Sequence, residues 1–178
     1  MSDFGIHTLL LYSQHNISPG HCSSLLWDLR EPPANARPVL NLEEPLSRLD
    51  LAQHATFPPL PILYITCDIF PEEWPIKVTR DDGVTVGDVL EAIHHTLLRR
   101  ISHDEWNRLS LKQQNRIKIV FDNRCAMAEN REECRLHGVL RVDCILYHTL
   151  FAGLSVSPGL DNTCILSLRR PPSNPVQL

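Results

Sequence analysis

An α+β fold is predicted by this sequence: a small mixed or antiparallel sheet packed on two helices, with an extended, proline-rich N-terminal wrap. Three observations carry that expectation. Residues 62–79 read as two strands around a short turn, residues 85–101 read as a capped amphipathic helix, and the last third of the chain returns to strand composition. The order hairpin, helix, later strands makes a β-grasp-like sheet the sharper form of the expectation, with a further helix over 102–124 as an insertion.

Each element has its own local reason. Leu63, Ile65, Cys67 and Ile69 alternate with Tyr64, Thr66 and Asp68, the period of a half-buried strand. Pro71, Glu72 and Glu73 make the turn, and Ile76 and Val78 alternate with Lys77 and Thr79 in the second strand. Thr85 followed by Asp88 forms a variant capping box, after which Val89, Leu90, Ile93 and Leu97 fall at helical spacing. Ser102 and Glu105 form another box and open a second helix, with a break near Leu109 and Ser110. Residues 125–137 are polar and charged and read as a helix end plus loop. GVLRVDCIL, FAGLSVSP and NTCILSLR supply three candidate strands, separated by turn residues.

The N-terminal third is different in kind. A strand over 6–12 and a short apolar anchor at Leu25, Leu26, Trp27 and Leu29 are expected, and Pro32 and Pro33 end the anchor. Residues 34–61 read as extended chain with one helical turn over 46–51. With seven glycines against fourteen prolines, the connections are stiff rather than flexible. A length of 178 residues fits one domain, assigned to 25–170, with 1–24 loosely ordered and 171–178 a disordered tail.

Composition narrows the function classes. A net charge of −4 supplies no basic field for nucleic acid. No stretch is long and apolar enough to span a membrane, and Asp3 stands where a signal peptide carries positive charge. An intracellular, cytoplasmic protein is expected. The cysteines at 22, 67, 125, 134, 144 and 164 are then reduced thiols, several of them acting as small hydrophobes. There is no Gly-rich phosphate loop, no G-x-S-x-G and no H-E-x-x-H, and no cofactor is implied.

Four constellations carry chemical potential. The first joins Trp27 and Asp28 with Arg124, Arg141 and Asp143. An arginine inside an apolar helix face or strand needs a carboxylate or an anion, because an unpaired buried charge costs several kcal/mol. Two guanidinium forks would suit a carboxylate or phosphate ligand. The favoured alternative is that these arginines pair with Asp28 or Asp143 and tie the wrap to the core. On that alternative Arg141→Ala destabilises the fold; on the ligand reading it leaves stability intact. The second constellation is Cys134, His137, Cys144 and His148, spaced like metal ligands. Its intervening residues read as a strand, which would hold Cys144 and His148 apart, so no metal is expected. The third is His94 and His95, which as helix neighbours point about 100° apart and cannot share one ligand. The fourth is the sheet edge, open to strand addition by a partner peptide or blunted by the nearby prolines.

The pieces WDLREPP, HATFPPLP, WPIKV, GVTVGDVLEAIHHTL, EWNRL, VFDNRC, GVLRVDCIL and FAGL occur in this order across about residues 25–168. As a set they resemble an uncharacterised domain family abundant in mushroom-forming fungi. The resemblance picks out Trp27, Asp28, Ala55, Thr56, Pro58, Pro59, Trp74, Asp88, Trp106, Arg124, Arg141, Asp143, Phe151 and Gly153. It implies a single domain and brings no activity with it; the Cys134, His137, Cys144 and His148 set lies outside its pattern. Two functional expectations follow. One is a non-catalytic intracellular binding or protein-interaction module with an unknown protein partner. The other is a small-molecule enzyme or carrier holding an anionic ligand with the Arg/Asp cluster.

Overall fold

In the computed structural model, which describes residues 4–13, 23–70 and 74–172, the N-terminal wrap is built from paired fragments. They are β1 (Gly5–Ile6), β2 (Leu25–Leu26), a 3-10 turn over Pro33–Asn35, β3 (Arg37–Pro38), α1 (Arg48–Ala52) and β4 (Thr56–Phe57). β1 pairs with β4 and β2 with β3, both antiparallel. The expected strand over 6–12 stops early because Leu10 and Leu11 both donate backbone hydrogen bonds to the His7 carbonyl, which turns the chain. Phe4, Ile6 and Leu10 are nonetheless buried in the core. The helical turn expected over 46–51 is α1, held by reciprocal hydrogen bonds between Ser47 and Asp50.

The regular part follows as β5 (Ile62–Thr66), β6 (Ile76–Thr79) and α2 (Val86–Leu97). Leu63, Ile65, Ile76 and Val78 point inward, as their alternation requires. The turn assigned to Pro71, Glu72 and Glu73 lies outside the described residues. Thr85 and Asp88 cap α2 reciprocally, and Val86, Val89, Leu90, Ile93 and Leu97 bury its inner stripe. Each such aliphatic side chain stabilises the core by roughly 1.5–3 kcal/mol. Ser102 and Glu105 cap α3 (His103–Arg108), and Ser110 and Gln113 cap α4 (Leu111–Met127), so the expected break separates two helices. Then come α5 (Arg131–His137), α6 (Arg141–Cys144), β7 (Leu150–Val156) and β8 (Thr163–Arg169).

The main sheet has the order β6-β5-β8-β7. β5 runs antiparallel to β6 and parallel to β8, and β7 runs antiparallel to β8. A hairpin, a helix across it, and a last strand inserted parallel to the first is the β-grasp arrangement. The outer side of β7 is not open to a partner strand along its length: Leu154 donates to Leu10, Tyr12 donates to Leu154, and Phe151 donates to Trp27 through the backbone. Gly153 makes this approach possible. Its φ is +122°, and a Cβ there would lie 2.6 Å from the Tyr12 backbone.

Two expectations are corrected. GVLRVDCIL is not a strand. Val142 and Ile145, both buried, stand at helical spacing, and Asp143 accepts the Leu140 backbone N–H at 2.9 Å, so the segment winds into α6. The sheet therefore receives two of the three strands expected from the last third. Residues 125–137 are not a helix end and loop, because α5 forms within them. Asn130 accepts the Glu133 N–H at 3.1 Å, and Gly138 at φ +75° ends the helix. Since α5 contains no buried residue, no apolar stripe announced it.

Candidate functional site

The expected cluster of Trp27, Asp28, Arg124, Arg141 and Asp143 separates into distinct pairs. Arg124 leaves α4 toward α6 and grips Asp143 with its fork, Nε to Oδ1 and Nη2 to Oδ2 both at 2.8 Å. Its Nη2 also donates to the Gly138 carbonyl at 3.0 Å, and its Nη1 to the Cys134 sulfur at 3.0 Å. The Asp143 side chain is 1% exposed, so its charge is answered by protein alone. The Asp143 carboxylate in turn raises the pKa of Arg124.

Arg141 is turned the other way, to a partner on α3. Its Nη2 donates to Glu105 Oε1 at 2.9 Å, and its guanidinium stacks on the Trp74 ring at 4.6 Å. Trp74 Nε1–H donates to the same carboxylate, whose other oxygen accepts the Ser102 backbone N–H. Burial by itself would push Glu105 upward. The hydrogen bonds from Ser102, Trp74 and Arg141 outweigh it and hold the carboxyl at about 2, against an ordinary 4.5. Arg141 Nε is buried without a hydrogen-bond partner.

Trp27 and Asp28 belong elsewhere. The Trp27 ring packs on Phe151 with centroids 6.0 Å apart, and its Nε1–H donates to the Glu31 carbonyl at 3.0 Å. Asp28 pairs with Arg30 at 2.6 Å on the outside of the fold. The wrap is thus tied to the core through Trp27 and backbone pairing rather than through Arg124 or Arg141.

The Cys/His set is likewise dispersed. Cys134 takes its hydrogen bond from Arg124, and His137 is exposed at the end of α5. Cys144 points its thiol at the Leu140 carbonyl, and His148 accepts from Arg170 Nε at 3.3 Å. Among the described residues no three His, Cys, Asp or Glu side chains converge as metal donors. His94 is buried and held below its ordinary value mainly by desolvation, while His95 is exposed beside Glu91.

A cleft of about 610 Å³ opens beside the Arg141–Glu105 pair. One wall is the chain leaving β5 and entering β6, with Ile69, Phe70 and Trp74. The opposite wall is the α3–α4 corner, with Leu109, Gln113, Arg116 and Ile117, and the exit of α6 closes the end with Cys144 and Leu146. The lining is largely apolar with a few polar groups at the rim, the ordinary character of a ligand pocket, and its volume falls in the usual range. Leu146 holds φ +54°, a left-handed conformation that a bulky side chain rarely adopts. Cys144 is no nucleophile at neutral pH: burial first, then the charges of Asp143 and Glu105, push its thiol to about 12. Sequence reasoning singled out neither the cleft nor the pairing of Glu105. Glu105 stood out there only as a cap, and nothing local marks a contact between Trp74 and a residue 31 positions later.

Fold and site together define a small α+β domain: a β-grasp sheet backed by α2, with an appended helical corner that encloses a cleft. The chain belongs to the family of unknown function DUF6699, whose family model matches residues 25–162. No curated protein and no solved structure matches the chain significantly. Among the described residues no helix is long and apolar enough to cross a membrane.

Proposed function

We propose that this domain is a non-catalytic, intracellular binding module, and that its ligand enters the cleft with an apolar or aromatic group. The observation that carries the proposal is the cleft itself: an apolar pocket of about 610 Å³ beside two arginine–carboxylate pairs that close on each other. The strained backbone at Leu146 supports the same place, since such conformations concentrate where ligands are held. The absence of catalysis is supported by the groups at hand. The lining thiol is strongly disfavoured as a thiolate, and Glu105 is held as a carboxylate by three donors. Free thiols at Cys67, Cys125, Cys134, Cys144 and Cys164 support an intracellular residence.

One observation favours the second reading, a carrier or enzyme for an anionic ligand. The Nε–H of Arg141 is buried and unpartnered, a donor that an anion would satisfy. A single experiment separates the two. The 15N-labelled chain is titrated with neutral aromatic fragments and, separately, with carboxylate and phosphate fragments. The binding-module proposal expects saturable shifts at Ile69, Leu109, Gln113 and Leu146 with neutral fragments. Shifts confined to anionic fragments and to the Arg141 side chain would replace it with the carrier. No saturable shift at any of these residues would overturn both.

A further inference from the structure

The α4–α5 pair holds a feature that the cleft does not use. Cys125, on the last turns of α4, is completely buried, and Cys134, on α5, is half-buried. The Cys125 thiol hydrogen-bonds to the Cys134 sulfur across the helix pair. Arg124 Nη1 donates to Cys134 Sγ at 3.0 Å, so a guanidinium sits beside the sulfurs. One turn back on α4, Asp122 pairs with Arg135 at 3.1 Å, which sets the same faces of the two helices together. No residue of α5 is buried, so the helix is held by these polar contacts rather than by a core. A covalent link between the helices would change how firmly α5 is attached.

We propose that Cys125 and Cys134 are a redox-reactive dithiol that a low-molecular-weight disulfide converts to an internal disulfide, pinning α5 to α4. Cys134 is the entering sulfur. It is the more accessible of the two and carries the guanidinium contact, whereas burial and the neighbouring sulfur push the Cys125 thiol up to about 11. In the first step the Cys134 sulfur, its proton released to solvent, attacks one sulfur of the external disulfide and expels a thiolate, which takes up a proton. In the second, the Cys125 sulfur, likewise deprotonated, attacks Cys134 Sγ of the mixed disulfide and expels the other external thiolate. Two protein thiols are oxidised and one external disulfide is reduced to two thiols, so protons and electrons balance. A reversible bond of this kind suits a reducing compartment, where disulfides are transient.

The test uses the full chain in oxidised glutathione, followed by alkylation of remaining thiols and intact and tryptic mass measurement. Trypsin cuts after Arg124, Arg131 and Arg135, which places Cys125 and Cys134 on separate peptides. The expected product has lost two hydrogens, carries no glutathione, and yields those two peptides joined until reductant is added. Cys125→Ala, verified as folded by its circular dichroism, is expected to accumulate glutathione on Cys134 because the resolving thiol is gone. A stable glutathione adduct on the wild-type chain, a disulfide between any other pair, or complete alkylation of both cysteines would overturn the proposal.

Discussion

Exchange of Asp143 for asparagine tests whether the Arg124 fork is part of the scaffold. The carboxylate accepts two hydrogen bonds from Arg124 at 2.8 Å and one from the Leu140 N–H at 2.9 Å. Asparagine keeps one carbonyl oxygen for Leu140 but removes the charge and half of the fork. Breaking a buried ion pair costs about 3–5 kcal/mol. Arg124 is 25% exposed and regains some hydration when released, which places Asp143→Asn at the lower end, about 2–3 kcal/mol. For a chain of this size that is a fall in Tm of roughly 4–12 °C. Arg124→Met leaves the deeply buried carboxylate with only the Leu140 donor and is expected to cost more, about 3–4 kcal/mol. The double variant has no stranded charge. It should be no worse than Arg124→Met alone, giving a coupling of about 2 kcal/mol or more. Urea unfolding at unchanged m measures all three. Additivity of the two single losses within about 0.5 kcal/mol would refute the structural reading of the pair.

Arg141→Ala removes one of Glu105's donors and the cation over Trp74, so a loss of about 2–3 kcal/mol and a Tm lower by roughly 4–12 °C are expected in a thermal melt; an unchanged melt would return Arg141 to the role of a ligand group. Glu105, held at about 2 in the fold against an ordinary 4.5, makes stability depend on acid. Its folded-state value is depressed, so its contribution is complete above pH 4.5 and is lost as pH falls toward 2. Glu105→Gln should be less stable than the wild type at pH 7 and should flatten the decline over that window; parallel pH profiles of the two chains in urea titrations would show that Glu105 is not the group responsible.

The legibility of this chain follows the range of its interactions. The caps at Thr85, Ser102 and Ser110 are satisfied within three residues, so spacing alone located α2, α3 and α4. The alternation of Leu63, Ile65, Ile76 and Val78 located β5 and β6 for the same reason. GVLRVDCIL misled because its β-branched and aliphatic residues fit a strand as readily as a short buried helix, and the Leu140–Asp143 bond that decides between them spans only one turn. α5 was missed although Asn130, Glu133 and Gly138 stand at cap spacing, because an exposed helix carries no hydrophobic period.

Local chemistry determined the class of fold, most element boundaries and the need of Arg124 and Arg141 for partners. Tertiary structure alone decided which partners they found: Asp143 for Arg124, Glu105 for Arg141, and Arg30 rather than either of them for Asp28. It also decided that Trp74 and Leu146 face one another across a cleft. A cap or an apolar period is written in residues a turn apart. A salt bridge or a pocket wall joins residues tens of positions apart, and only the packing of the sheet against α2 and the helical corner brings them within reach.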